Sequence, residues 1–187
     1  LSAFIREKKS GRAAGEVTTR TGRIKCQQNQ KIEIEMDIGD PHAWSPADPF
    51  LYETVLSVSA DARVFRDVGN PGCQKPPDNQ PWIGPSDEVT VTFGMRDFEA
   101  VERTFHLNGE QTCLLGSTIT LNRFFEDNDR GALPWDREWV KKLFVDIPKS
   151  LGWNGFRICI GLLPDFWYDL ADEHGILLQN EYPMWNL

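Results

Sequence analysis

The stretch Gly155-Phe156-Arg157-Ile158-Cys159-Ile160 decides the fold of the second half of the chain. It is short and apolar apart from one arginine, which is typical of a buried strand. A helical pattern follows, with Pro164 in its first turn and Gly175 at its end. A further apolar strand, Ile176-Leu177-Leu178-Gln179, comes next. Strand, helix and strand in this order predict two parallel strands joined by a right-handed crossover.

A further strand and helix precede this unit. The pair Asn108-Gly109 predicts a tight hairpin turn, because both central residues of a type I′ turn need a positive φ. The mostly apolar run from Thr112 to Leu121 is then expected to form a strand. Together these segments predict strand, helix, strand, helix and strand, the order of a parallel sheet.

The helix between those strands is predicted to begin at the capping residue Asp136. Pro148 is expected to kink or stop it. An apolar stripe at i, i+4 spacing is expected to face the sheet, with Val140 and Phe144 beside it. The stripe consists of Trp139, Leu143, Ile147 and Leu151.

The first hundred residues show a period of two instead. Residues 31–38 alternate charged and apolar side chains without a break, which predicts a half-buried strand. Residues 52–58 and 88–93 are predicted to be further strands, and the segment 67–87, rich in proline and glycine, is expected to be a long loop. Short strands without helical periodicity indicate an antiparallel β-sandwich.

The composition excludes several classes of protein. The chain has 187 residues, 40% of them hydrophobic, and a net charge of −8, which disfavours nucleic acid as a partner. No apolar run approaches the ~20 residues that a membrane-spanning helix needs. The histidines and cysteines are too scattered for a metal site, and Cys26, Cys113 and Cys159 are expected to be buried free thiols. The chain begins at Leu1 without methionine, so we expect a piece of a longer polypeptide.

Six short motifs in a fixed order resemble glycoside hydrolase family 2, the family of β-galactosidases, β-glucuronidases and β-mannosidases. Each motif alone is weak, but their common order is a specific signal. One of the six is the single residue Gly116, which matches the glycine that ends the first barrel strand of the family. The motifs are Trp44-Ser45-Pro46 with Asp48-Pro49 and Leu51-Tyr52, Phe93-Gly94-Met95-Arg96, Phe105-His106-Leu107-Asn108-Gly109, Gly116, Gly152-Trp153-Asn154-Gly155-Phe156-Arg157, and Trp167-Tyr168 through Gly175.

This resemblance implies a β then α/β architecture. Residues 1–102 correspond to an immunoglobulin-like β-sandwich whose N-terminal part is expected to be missing. Residues 103–187 correspond to the first three β-strands of a (β/α)8 TIM barrel, which is therefore incomplete.

The resemblance also implies a retaining glycosidase that hydrolyses O-glycosidic bonds of an oligo- or polysaccharide. Such chemistry needs two carboxyl groups about 5–5.5 Å apart. The family places one glutamate after strand four and one on strand seven. Both are expected downstream of Leu187, so the chain should contain no catalytic residue and be inactive by itself. The implied partners are a glycan and the remainder of the barrel, without a cofactor, a metal, nucleic acid or a membrane span. A periplasmic or secreted location is favoured, with its signal upstream of residue 1.

The candidate site residues lie at the carboxyl ends of the predicted strands, where barrel enzymes build their sites. The resemblance implies that Arg157 supports the nucleophile carboxylate, while an arginine paired for folding alone is the alternative. Asn180 and Glu181 look like the Asn-Glu pair that bears the acid/base of the family, but they stand at the position of strand three. Glu181 is therefore expected to bind sugar or orient a neighbour. The other readings are a structural carboxylate and the acid/base itself.

Three further candidates lie on the same rim. Asn122 and Glu126 follow the first strand and are candidates for substrate binding. Glu126 and the adjacent Asp127 are the candidates for binding sugar hydroxyls, although a solvated charge run is at least an equal alternative. Trp185 follows the third strand and is either a stacking platform for sugar or a packing residue. All three assignments depend on the barrel topology.

One departure from the family pattern bears on specificity. Many family members carry serine and histidine two and three residues after the strand-two arginine, where this chain has Cys159 and Ile160. The loss of that histidine predicts a divergent branch that acts on another glycan than a standard β-galactosidase. A non-catalytic carbohydrate-binding or scaffolding relative is the alternative function, and an unrelated adaptor with a chance match is a third.

Overall fold

The structure is a computed structural model and describes residues 1–20, 30–61 and 83–182. The chain divides into two compact units, one of residues 1–40 and 52–93 and one of residues 41–51 and 94–187. Each unit has its own sheets. No helix in the described ranges is long and apolar enough to cross a membrane.

The first unit contains one antiparallel sheet of four strands, in the order β2-β1-β3-β4. Alternate residues of β1 are buried, among them Ala3 and Ile5, so one face of this strand points into the unit. On β3 and β4, by contrast, Val58, Val89 and Val91 remain about half exposed. The strands are β1 (Ser2–Glu7), β2 (Ala13–Thr18), β3 (Tyr52–Asp61) and β4 (Ile83–Phe93).

Two predictions for this unit are wrong in part. Residues 31–38 form no strand, although the apolar residues are indeed less exposed than the charged ones between them. Alternation reports which side of an extended chain is covered, whereas a strand also needs a hydrogen-bonded neighbour. The predicted loop 67–87 overlaps β4, which already begins at Ile83. The remainder of that loop lies outside the described residues.

The second unit begins with a small antiparallel sheet of three strands. The strands are β5 (Phe98–Val101), β6 (Thr104–Leu107) and β7 (Glu110–Thr112). The predicted hairpin is confirmed: Asn108 and Gly109 connect β6 to β7 and have φ values of 53° and 82°. The Asn108 side chain donates to the Trp44 carbonyl at 3.0 Å and thereby fixes the segment 41–51 to this hairpin.

The predicted parallel sheet is confirmed, with strand order β10-β9-β8 and parallel pairing at both junctions. The strands are β8 (Gly116–Ile119), β9 (Gly155–Ile158) and β10 (Leu177–Asn180). β8 is shorter than the predicted strand, and Gly116 begins it rather than ends it. A Cβ on Gly116 would lie 1.7 Å from the carbonyl oxygen of Gly155, so only glycine allows these strands to approach so closely.

Helices cover one face of the parallel sheet. They are α1 (Asn122–Phe125), α2 (Arg137–Lys141), a π-helical turn (Lys142–Asp146), α3 (Ile147–Ser150) and α4 (Asp165–His174). The predicted cap is confirmed, since the Asp136 side chain accepts from the backbone N–H groups of Glu138 and Trp139. The predicted stop is also confirmed, since the helix that contains Pro148 ends at Ser150.

The buried stripe of this helical segment differs from the predicted one. Val140, Phe144 and Pro148 are buried, whereas Ile147 and Leu151 are 44% and 60% exposed. Phe144 packs on Phe156 of β9 and against Trp167 of α4, with ring centroids 5.1 Å apart in both cases. Two adjacent stripes are apolar in the sequence, and packing against the sheet selects one of them.

Candidate active site

The main candidate site lies where β9 and β10 end. Arg157 stands on β9, and Glu181 directly follows β10. The Nη2 atom of Arg157 donates to Oε2 of Glu181 at 2.6 Å. Their side chains are 44% and 38% exposed, so the ion pair is open to solvent. The structure thus brings together two of the predicted site residues, which are 24 positions apart in the chain.

The backbone fixes the position of Glu181. Its N–H group donates to the carbonyl of Ile158 at 3.0 Å, which extends the pairing of β10 with β9 by one residue. This bond places the glutamate beside the carboxyl end of the neighbouring strand. The carboxylate is therefore held by a regular element rather than by a loose loop.

A second interaction involves the predicted residue Asn180. The hydroxyl group of Tyr168, on α4, donates to Oδ1 of Asn180 at 3.3 Å and accepts from the N–H group of Leu163 at 3.3 Å. Tyr168 therefore connects the segment after β9 with the end of β10. Tyr168 lies within one of the sequence motifs, but no role was predicted for it, because the tertiary contact has no local signal.

The segment between these contacts has an unusual backbone. Ile160 has a φ of 52°, in the left-handed region, and Gly161 follows with a φ of 143°. A β-branched residue is rare in this region, and such strain costs of the order of 1–3 kcal/mol. Backbone strain of this kind concentrates at functional sites. It occurs here at the position where the sequence departs from the family pattern.

The uncovered face of the parallel sheet carries polar groups in register. Thr118, Arg157 and Gln179 are direct neighbours across the three strands, and all are exposed. A cavity of about 800 Å³ adjoins this part of the unit, with Arg157, Tyr168 and Asn180 in its lining. The volume is within the usual range of sites for small molecules.

Of the remaining predicted residues, Asn122 and Glu126 lie within the described residues. Asn122 begins α1 after β8 and is exposed. Glu126 forms an ion pair with Arg123, with Nη1 and Oε2 3.1 Å apart. Trp185 lies outside the described residues. Two of the three cysteines that were expected to be buried are more open than predicted: Cys113 is exposed and Cys159 is intermediate. The third, Cys26, lies outside the described residues.

The two predicted carboxylates, Glu181 and Glu126, are not grouped for metal binding. Within the described ranges, no group of three or more histidine, cysteine, aspartate or glutamate side chains is arranged to hold a metal ion. The contacts of Arg157, Asn180 and Glu181 show polar groups at strand ends that form hydrogen bonds and an ion pair.

Known proteins with similar sequences are glycoside hydrolases by name. Residues 3–70 match the family model of glycosyl hydrolases family 2. A putative β-glucuronidase of Formosa agariphila is 24% identical over 172 residues, which are 89% of this chain and 14% of that protein. A β-galactosidase of Psychromonas ingrahamii is 25% identical over 82% of this chain and 12% of that protein. The chain thus spans about an eighth of the length of these relatives.

Solved structures show a similar fold. A glycosyl hydrolase family 2 member from Bacteroides cellulosilyticus superimposes with a TM-score of 0.69 over 97% of this chain and 21% of that one, at 17% identity. A β-glucuronidase from Ruminococcus gnavus, solved in complex with D-glucuronic acid, gives a TM-score of 0.65 over 97% of this chain and 25% of that one, at 20% identity.

The resemblance to glycoside hydrolase family 2 that the sequence motifs predicted is confirmed by the family model, by the similar relatives and by the solved structures.

Proposed function

We propose that the chain is the part of a retaining glycoside hydrolase that begins its catalytic barrel and contributes sugar-binding groups to its active site. The observation that carries this proposal is the Arg157–Glu181 ion pair of 2.6 Å at the carboxyl ends of two parallel strands. Enzymes with parallel barrels assemble their sites at this end of the strands. The family resemblance supplies the reaction, hydrolysis of an O-glycosidic bond.

In this proposal, residues 1–102 form an immunoglobulin-like sandwich and residues 103–187 form the first three strands of a (β/α)8 barrel. The half-exposed Val58, Val89 and Val91 support a second sheet over the first unit, because they place apolar side chains on one face. The exposed polar row of Thr118, Arg157 and Gln179 supports a barrel, since these side chains would face its interior.

The roles follow from the chemistry of each group. Arg157 acts as a positioning residue: it uses one of its five N–H donors on Glu181 and has others for a second carboxylate or a substrate. Glu181 accepts hydrogen bonds from sugar hydroxyls, and Asn180, oriented by Tyr168, does so beside it. In this proposal both catalytic glutamates lie outside the 187 residues, so the chain binds sugar without cleaving it. The presence of Cys159 and Ile160 where the family often has serine and histidine favours a glycan other than the usual β-galactoside.

The proposal is tested with the 187-residue chain and methyl β-D-glucuronide and methyl β-D-galactoside as probes, by titration calorimetry. We expect one of these glycosides to bind, and Glu181→Gln to weaken its binding about tenfold, since a lost charged hydrogen bond is worth about 1.5–3 kcal/mol. Hydrolysis of the p-nitrophenyl glycosides should be undetectable.

The matched control is Glu53→Gln. Glu53 pairs with Arg6 at 2.8 Å between neighbouring strands of the first unit, so the change removes a comparable ion pair away from the proposed site. This variant should bind the probe like the unmodified chain. Equal binding by Glu181→Gln, or hydrolysis by the chain alone, would contradict the proposal.

A further inference from the structure

Two exposed aromatic rings form a pair on the segment between β8 and α2. Phe125 and Trp135 stack with their ring centroids 5.5 Å apart and their planes at 29°. Phe125 is 54% exposed and Trp135 is 55% exposed. Large aromatic residues normally bury most of their surface, so this pair is a candidate binding surface.

The residues next to the two exposed rings are held by contacts with the helices. Pro134, next to Trp135, is fully buried, and its carbonyl accepts from the Trp167 indole N–H at 2.9 Å. Phe124, next to Phe125, packs edge-on against Trp139 with ring centroids 5.4 Å apart. The neighbours of both exposed rings are thus fixed to the helices. The pair is therefore preorganised, which lowers the entropic cost of binding a ligand.

Charged residues lie close to Phe125 in the sequence and form two ion pairs. Arg123 and Glu126 form one ion pair of 3.1 Å, and Arg130 and Asp127 form another of 3.5 Å. Their side chains are between 40% and 72% exposed, so hydrogen-bonding atoms on both pairs remain accessible. A ligand suited to this surface has an apolar face and many hydroxyl groups around it. A pyranose ring has both features, with its C–H faces and equatorial hydroxyls.

The location favours the same ligand. The segment follows β8, and Glu181 follows β10, so both lie at the carboxyl edge of one parallel sheet. A glycan held at the Arg157–Glu181 pair is therefore bound on the same edge of the sheet as the aromatic pair.

We propose that Phe125 and Trp135 form an additional binding site, which stacks against one pyranose unit of an oligosaccharide whose other end occupies the Arg157–Glu181 site. This inference rests on the proposed function, because it takes the sugar from that site. The inference goes beyond the proposed function by assigning the residues that bind a second sugar unit of the substrate. The flanking carboxylates and guanidinium groups bind the hydroxyls of the stacked unit.

The test compares binding of two tetrasaccharides, β-1,4-galactotetraose and the hyaluronan tetrasaccharide, with binding of the two methyl glycosides. We expect one tetrasaccharide to bind more tightly than its methyl glycoside. Trp135→Ala should weaken tetrasaccharide binding about tenfold, the combined effect of a stacking contact and its buried area. Methyl glycoside binding should not change. The indole N–H resonance of Trp135 is identified as the one that is missing from the spectrum of ¹⁵N-labelled Trp135→Phe. In the ¹⁵N-labelled unmodified chain, this resonance should shift on addition of the tetrasaccharide.

Two substitutions separate stacking from simple apolar contact. Trp135→Phe keeps a ring and should retain most of the affinity, whereas Trp135→Leu keeps apolar surface without a ring and should bind as weakly as Trp135→Ala. Leu151→Ala is the control, since it removes an exposed apolar side chain at the end of α3. Equal affinity of Trp135→Leu and the unmodified chain would overturn the stacking site and point to an apolar docking surface.

The outcomes also distinguish this inference from the proposed function. If Glu181→Gln weakens binding while Trp135→Ala leaves tetrasaccharide binding unchanged, the aromatic site is wrong and the proposed function stands. If only Trp135→Ala weakens binding, the role of Glu181 is wrong and the aromatic site stands. If none of the four sugars binds, both are wrong.

Discussion

Both units contain arginine–glutamate pairs, and one pair from each unit shows how a structural role differs from a binding role. In the first unit, Glu7 accepts a hydrogen bond from Nε of Arg12 at 2.8 Å and is only 8% exposed. In the second, Arg157 and Glu181 meet at 2.6 Å with both side chains more than a third exposed. One carboxylate is enclosed by its partners, whereas the other remains accessible to a ligand.

The origin of the two pairs also differs. Glu7 and Arg12 are five positions apart and close the turn between β1 and β2, where Ser10 also donates to the carboxylate. The nearby carboxylate of Glu7 raises the pKa of Arg12 above its ordinary value, chiefly through the hydrogen bond. A raised pKa means that the contribution to stability is complete at neutral pH and is lost only in strong alkali. Arg157 and Glu181 meet only after two strands have paired.

The largest expected loss of stability comes from a cavity in the hydrophobic core of the second unit, which contains the Arg157–Glu181 pair. Trp167 is fully buried among Phe144, Phe156 and Ile158. Trp167→Ala should lower the free energy of unfolding by about 3–5 kcal/mol, the usual cost of such a cavity. Urea denaturation followed by circular dichroism measures this loss. Val91→Ala, at a half-exposed position of β4, is the control and should change the stability by less than about 1 kcal/mol. A loss below 1 kcal/mol for Trp167→Ala would contradict the packing described.

The next effect compares the two carboxylates directly. Glu7→Gln should lower the free energy of unfolding by about 1–3 kcal/mol, because it weakens hydrogen bonds to a buried group. Glu181→Gln should lower it by less than about 1 kcal/mol, as exposed ion pairs contribute little. Chemical denaturation of both variants at pH 7 tests the comparison. Equal losses, or a larger loss for Glu181→Gln, would show that the second pair stabilises the fold instead of serving a ligand.

A third prediction concerns a motif residue that links neighbouring segments of the second unit. The side chain of Asn154 accepts from the Leu115 N–H group and donates to the Cys113 carbonyl, both at 2.8 Å. Asn154→Ala should therefore lower the free energy of unfolding by about 1–2 kcal/mol, the net value of two hydrogen bonds. Asn122→Ala, at an exposed position of α1, provides the control in the same denaturation experiment and should change little. An unchanged midpoint for Asn154→Ala would contradict the role assigned here.

Local patterns predicted much of the second unit. The cap at Asp136, the turn at Asn108-Gly109 and the helix end at Gly175 all depend on neighbouring residues, and the structure confirms each of them. Residues 31–38 show the limit of such patterns, since alternation does not specify a hydrogen-bonded partner. The buried stripe of α2 and α3 shows the same limit, because the sheet selects between two apolar faces.

The candidate site, too, could be predicted only in part from the sequence. The position of Arg157 and Glu181 at strand ends followed from the predicted order of strands, although their direct contact did not. Tyr168 and Trp135 were given no role, because a hydroxyl that bridges two segments and a ring that stacks on a distant ring leave no local signal. Tertiary contacts of this kind require the fold.

The smallest expected effect concerns a long-range contact of the second unit and is a dependence on pH. Lys149 donates to the Pro46 carbonyl at 2.9 Å, and burial lowers the pKa of this lysine below its ordinary value of 10.5. In the window between the lowered pKa and 10.5, the unfolded chain binds more protons at Lys149 than the folded chain, so this residue makes stability rise with pH. The difference in unfolding free energy between the unmodified chain and Lys149→Met should therefore shift in favour of the unmodified chain between pH 8 and pH 10.5. Denaturation midpoints of both proteins at the two pH values measure this shift, and a change of opposite sign would show that the bond to Pro46 outweighs the burial of the charge.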